Sequence, residues 1–165
     1  MKKFILAGIA VAVLLGVQPV SALEGVGVGV ILGEPTGLSV KKWVSATRAV
    51  DGAAAWSLSD NESFRLHADY LIHLYDPEDL QAIQDKVPLY YGAGLRVRLE
   101  DDEDEGKGNG DDEDTTLGVR IPVGLTYYLP KQSIDLFVEI VPVLDVVPDT
   151  DFDIDGAIGA RFYFR

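Results

Sequence analysis

The chain has 165 residues, of which 47% are hydrophobic, and it carries 27 acidic against 14 basic side chains. A net charge of −13 argues against nucleic acids as partners, because a polyanion repels an acidic protein. There is no cysteine, so the fold uses no disulfide and offers no thiol for a lipid anchor.

Residues 1–22 are predicted to be a secretory signal peptide. Two lysines precede an apolar run from Phe4 to Val17, and the small residues Ser21 and Ala22 suit a cleavage site after Ala22. A retained membrane anchor is the weaker alternative, because the run is shorter than the roughly 20 residues of a spanning helix. The exported domain is expected to be 23–165.

The exported domain is predicted to be all-β. Apolar and polar residues alternate with a period of two, and turn-forming Gly, Pro, Asn, Asp and Ser separate the alternating runs. Only Asp76–Lys86 suggests a helix, of one or two turns at most. The eight predicted strands are Gly25–Leu32, Gly37–Val44, Val50–Leu58, Ser63–Tyr75, Leu89–Glu100, Thr116–Leu129, Ile134–Val146 and Phe152–Phe164.

The polar face of several strands also carries glycine, as in "GVGVGVIL" and "YYGAGLRVRL". A soluble barrel and a membrane barrel share the alternation but turn opposite faces inward. Glycine only weakens a strand whose polar face lies in water, whereas in a narrow barrel it makes room for long arginines. The pattern therefore predicts an eight-stranded antiparallel transmembrane barrel with a charged lumen and an apolar surface facing lipid.

The strand phases predict a network of charged side chains inside the barrel. Its members must form pairs, because uncompensated charge in a narrow interior is costly. A structural plug is the simpler interpretation and a gated ion path is the alternative; residue spacing does not separate them. The predicted members are Lys41, Asp51, Arg65, His67, Asp69, Arg96, Arg98, Arg120, Asp135, Glu139, Asp153, Asp155 and Arg161.

Aromatic residues are predicted to form two belts at the membrane interfaces. Trp43 fits one belt by depth, yet it is in phase with the inward-facing Ser39 and Lys41, so its direction stays open. With the amino terminus on the periplasmic side, Trp56, Phe64 and Phe152 lie at the outer rim, and Tyr91, Tyr127, Phe162 and Phe164 lie at the periplasmic rim.

Two further patterns resemble sites but lack an essential part. His67, Asp69 and His73 share a face, yet no nucleophile motif accompanies them, so we expect them to belong to the plug. The stretch "DTDFDIDG" resembles a calcium loop, but Phe162 stands where that loop needs a bidentate glutamate. We expect no catalytic residues, no metal site and no cofactor.

The segment Glu100–Asp114, "EDDEDEGKGNGDDED", contains ten acidic residues and one lysine. Such a density of like charge keeps a segment open and solvated, which predicts a surface loop. Weak and diffuse binding of divalent cations is the alternative role for this acidic loop.

The chain resembles the small bacterial outer-membrane β-barrels of the OmpA and OmpX type over their whole transmembrane unit. The last residues, "GAIGARFYFR", look like the carboxy-terminal targeting signal of such proteins, with Phe162 and Phe164 in matching places and Arg165 as a departure. The stretch "GEPTGLSVKKW" is similar to the amino-terminal hairpin of a group of uncharacterised exported barrels. The resemblance implies an outer-membrane location, with membrane lipid and the barrel assembly machinery as partners.

The sequence thus favours a non-enzymatic outer-membrane protein with a structural or surface-interaction role. Three alternatives stay open: a minor channel for ions or small solutes, a soluble periplasmic lipid-binding barrel, and, least favoured, a lipid-modifying enzyme. No motif identifies a ligand.

Overall fold

The computed structural model describes residues 25–34, 36–56, 63–74, 87–100, 114–129 and 133–164. Most of these residues lie in β-strands. The strands are β1 (Val26–Glu34), β2 (Thr36–Trp43), β3 (Arg48–Trp56), β4 (Ser63–Leu74), β5 (Leu89–Glu100), β6 (Asp114–Arg120), β7 (Val123–Leu129), β8 (Ile134–Val147) and β9 (Asp151–Phe164).

The strands close into a single antiparallel ring. Strands that follow one another in sequence are paired, except β6 and β7, and β1 pairs with β9 to close the ring. β6 and β7 lie end to end between β5 and β8, so they act as one barrel strand. The ring therefore has eight strand positions, which confirms the all-β, eight-stranded antiparallel fold predicted from the sequence.

The break between β6 and β7 falls at Ile121 and Pro122. Proline has no N–H to contribute to a ladder, but the backbone bonds continue on both sides. The Gly92 N–H donates to the carbonyl of Pro122 at 2.9 Å, and the Ile121 N–H donates to the carbonyl of Pro142 at 3.0 Å. The backbone hydrogen bonds of the predicted strand Thr116–Leu129 to its neighbours thus continue through the break.

Side chains alternate between a buried interior and an exposed exterior. The core lies inside the ring, and outward Val, Leu and Ile side chains cover its outer wall. Outward residues with 41–65% exposure include Val28, Val30, Leu38, Leu95, Val119, Val123, Leu136, Val138, Ile140 and Ile158. Such a continuous apolar exterior is unusual for a protein surrounded by water.

The two ends of the barrel differ in which strand ends they contain. The terminal end holds Val26 and Phe164, and the loop end holds Glu34 and Asp151. At the loop end Gly33 adopts a positive φ of 133°, a conformation that glycine accepts readily, and Thr36 closes the turn through its hydroxyl, which donates to the Gly33 carbonyl.

Outward-facing aromatic residues lie near both ends of the barrel. At the loop end the rings of Trp56 and Phe64 lie 5.8 Å apart, and at the terminal end Phe162 and Phe164 lie 5.1 Å apart. Near the terminal end, further outward aromatic side chains are those of Tyr91 and Tyr127. The direction of Trp43, which the sequence left open, is inward, where the side chain is 1% exposed.

Three predictions fall outside the described residues: the signal peptide at 1–22, the short helix at 76–86, and the acidic loop between the ends of β5 and β6. Within the described part of the chain, no helix is long and apolar enough to cross a membrane.

Candidate functional site

The lumen of the barrel is filled by charged, hydroxyl and aromatic side chains. Most of the charged residues predicted for the interior are buried there, and three lie nearer the loop end with more exposure: the side chains of Arg65, Arg98 and Asp153 are 11%, 22% and 46% exposed. Asp153 thus belongs to the rim and not to the interior proper, because β9 extends beyond the end of β1 at this point.

Arg96 is the centre of the network in the loop-end half. Its guanidinium donates to Asp145 at 2.8 Å and to Asp155 at 3.0 Å, and so bridges β8 and β9 from β5. Arg98 approaches Asp145 at 3.7 Å, and Arg65 approaches Asp155 at 3.6 Å. Charged hydrogen bonds of this kind are the stronger ones, so Arg96 holds this half together.

Arg120 occupies the middle of the lumen between two carboxylates. Its Nε lies 3.1 Å from Asp69 and its terminal nitrogen lies 3.6 Å from Glu139. The Tyr90 hydroxyl donates to Glu139 at 2.8 Å, and His67 lies 3.9 Å from Asp69. A single guanidinium therefore connects carboxylates from β4 and β8 across the barrel.

Arg161 reaches over a strand that has no side chain in its way. It starts on β9 opposite Gly29 of β1, and it donates to Ser39 on β2 and to Asp51 on β3, both at 2.8 Å. Its guanidinium also stacks 3.9 Å from the ring centre of Phe137. Arg161 thus connects the last strand to the second and third strands across the closing seam.

Lys41 lies in the terminal-end half among aromatic rings. Its ammonium donates to His73 Nε2 at 2.9 Å and lies 3.9 Å from Asp135. The ammonium also lies 4.7 Å from the ring centre of Trp43 and 5.6 Å from that of Tyr90, distances at which a cation is attracted to a ring face. The side chain of Lys41 is fully buried.

Inward glycines make room for large side chains on the neighbouring strand. A Cβ added at any of five glycines would overlap the residue directly opposite it. The sequence predicted that this room goes to arginines, as it does where Gly29 lies opposite Arg161; at these five positions it goes to carboxylates and aromatic rings. The opposed pairs are Gly94 with Asp69, Gly118 with Asp145, Gly124 with Tyr90, Gly27 with Tyr163, and Gly159 with Phe137.

The charges of this ion-pair network balance among the described residues. Six cationic side chains, those of Lys41, Arg65, Arg96, Arg98, Arg120 and Arg161, form ion pairs with six interior carboxylates, those of Asp51, Asp69, Asp135, Glu139, Asp145 and Asp155. Asp153 adds a further carboxylate at the rim, 3.8 Å from Arg96. A neutral, mutually paired set is the arrangement that a low-dielectric interior tolerates.

Sequence reasoning missed four members of the network: Ser39, Tyr90, Asp145 and Tyr163. Asp145 accepts from Arg96, and the Tyr163 hydroxyl donates to Asp135 at 2.7 Å. All four lie in the inward phase of their strands, so the alternation carried the signal.

Among the described residues, His67, Asp69 and His73 do not form one group. His67 and Asp69 lie together, but the Nε2 atom of His73 is bound to Lys41. Within the described ranges, no three His, Asp or Glu side chains form a group that could hold a metal ion.

A closed ring of eight antiparallel strand positions, apolar outside and charged inside, is the architecture of the small outer-membrane β-barrels. The crystal structure of the N-terminal β-barrel domain of Pseudomonas aeruginosa OprF has this fold and superposes with a TM-score of 0.67. The match covers 86% of this chain and 98% of that domain at 12% sequence identity, so it shows a common fold. No family model and no curated protein matches the sequence.

Proposed function

We propose that the protein is an outer-membrane β-barrel whose lumen is filled by its own side chains and whose role is structural or in surface interaction, without catalysis. The observation that carries this proposal is the combination of an apolar outer wall with six interior cations paired to six interior carboxylates. A soluble lipid-binding barrel needs the reverse: an apolar interior able to hold a ligand and a polar exterior.

Membrane lipid is the partner that the outer wall fits. Closing the ring through β1 and β9 satisfies the backbone groups that hydrocarbon cannot. Outward aromatic side chains near both ends, such as Trp56 and Phe164, suit the two interfaces of a bilayer. Insertion of such a barrel requires the barrel assembly machinery, which we propose as its second partner.

Fractionation of cells expressing the full chain tests the proposal. We expect the protein in the outer-membrane fraction, soluble only in detergent, with gel migration that changes on heating as the barrel unfolds. Recovery in the soluble periplasmic fraction without detergent would overturn the membrane assignment and favour the lipid-binding alternative.

A minor channel is the second candidate function, and one observation favours it. Two interior ion pairs, Arg120 with Glu139 and Arg65 with Asp155, are 3.6 Å long and so are not hydrogen bonds. Such pairs exchange partners more easily than Arg96 does with its two bonded carboxylates. Stepwise conductance of the wild-type protein in planar bilayers would support the channel over the plugged barrel.

A further inference from the structure

The two halves of the lumen are filled by different chemistry. Arginine and aspartate side chains fill the loop-end half around Arg96. In the terminal-end half, buried rings are 0–7% exposed and contact one another, with Trp43 and His73 at 4.4 Å, Trp43 and Tyr128 at 6.4 Å, and His73 and Tyr90 at 5.2 Å between ring centres. Packed rings exclude water more completely than a network of ion pairs does.

We infer that the barrier to ions lies in this terminal-end half, and that it is a cation cage formed by Trp43, His73, Tyr90 and Asp135, with the ammonium group of Lys41 as its tethered occupant. The inference rests on the proposed membrane-barrel function and locates the plug within it. The cage replaces the interactions that a cation loses when it leaves water, because it provides two ring faces, one hydrogen-bond acceptor and one carboxylate.

The hydrogen bond to His73 fixes the chemistry of the cage. An ammonium group only donates, so Nε2 of His73 accepts and the ring proton is on Nδ1. His73 therefore acts as a neutral acceptor, and Asp135 supplies the negative charge. The Tyr163 hydroxyl and the Arg161 guanidinium hold Asp135 in place, at 2.7 and 3.8 Å. The ligand class that fits the cage is a small primary alkylammonium ion.

Replacing Lys41 by alanine removes the tethered cation and leaves its cage. We expect the Lys41→Ala protein to conduct potassium in discrete steps in planar bilayers, whereas the wild type stays closed. Ethylammonium should block that conductance and raise the thermal unfolding temperature of Lys41→Ala, with no effect on the wild type. Adding Asp135→Asn to Lys41→Ala should abolish the response to ethylammonium, because the carboxylate is lost.

Arg96→Ala is the matched control, since it removes a buried cation from the other half and leaves the cage filled. We expect this variant to stay closed. The inference is overturned if Arg96→Ala conducts while Lys41→Ala stays closed. It is also overturned if Lys41→Ala neither conducts nor responds to ethylammonium. If Lys41→Ala fails to fold, refolding is repeated with ethylammonium present: recovered folding supports the cage, and no recovery refutes it. Conductance of the wild type would instead refute the plugged barrel itself.

Discussion

Replacing Arg120 by alanine should destabilise the barrel more than replacing either of its partners. The Arg120 side chain is buried between Asp69 at 3.1 Å and Glu139 at 3.6 Å, and its removal leaves two buried carboxylates without their cation. Breaking a buried ion pair by removing one partner costs about 3–5 kcal/mol. Because two carboxylates lose their cation, we expect Arg120→Ala to lower the free energy of unfolding by about 4–5 kcal/mol, the upper part of that range.

Glu139→Ala is the informative comparison, because it leaves Arg120 its shorter contact with Asp69. Glu139→Ala then removes the 3.6 Å ion pair and leaves the Tyr90 hydroxyl without its acceptor. A buried donor without a partner costs about 1–3 kcal/mol. The double variant should lose less stability than the sum of the two single losses. Part of the loss in Arg120→Ala comes from the unpaired carboxylate of Glu139, and the double variant no longer has that carboxylate.

Urea unfolding in lipid vesicles, followed by the fluorescence of Trp43 and Trp56, measures these differences. Asp153→Ala serves as the control, because its half-exposed carboxylate at the rim should contribute only about 0–1 kcal/mol. The reasoning is refuted if Glu139→Ala destabilises as much as Arg120→Ala, or if the two losses add fully in the double variant.

Val123→Arg should impair membrane insertion by about 2–4 kcal/mol, because Val123 faces outward near the middle of its barrel strand; normal assembly in vesicles would contradict a lipid-facing wall. Gly124→Ala should lower the unfolding midpoint, since its Cβ meets the ring opposite, whereas Gly156→Ala, with open space around it, should not; equal midpoints would exclude the packing argument. Protease added to intact cells should cut within 100–114 and spare the barrel; cleavage only after the outer membrane is opened would mean an inverted topology.

The period of two was sufficient to predict the strands and the closed ring, because side-chain alternation is a local property of the chain. It was also sufficient to place Asp145, which lies an even number of positions after Asp135 on β8 and therefore on the same face.

The pairing of the interior charges could not be read from the sequence. Which carboxylate meets Arg96 depends on the register of β5, β8 and β9 around the whole ring, and register is not a local property. The same reason explains the glycines: Gly124 was recognised as making room, but only the register shows that the room goes to Tyr90. Trp43 stayed ambiguous because a ring at this depth suits both the lipid interface and the aromatic packing inside.

Two glycines on the inner face of β1 bear on how the barrel is assembled. Gly27 and Gly29 present no side chain toward the lumen, so the first and last strands can meet without bulky groups having to pass one another. Arg161 then favours the native alignment, because its acceptors Ser39 and Asp51 lie beyond β1. Arg161 therefore penalises an incorrect register at the closure. In a shifted register its charged guanidinium lies in the interior without its hydrogen-bond partners, and only the native register provides them.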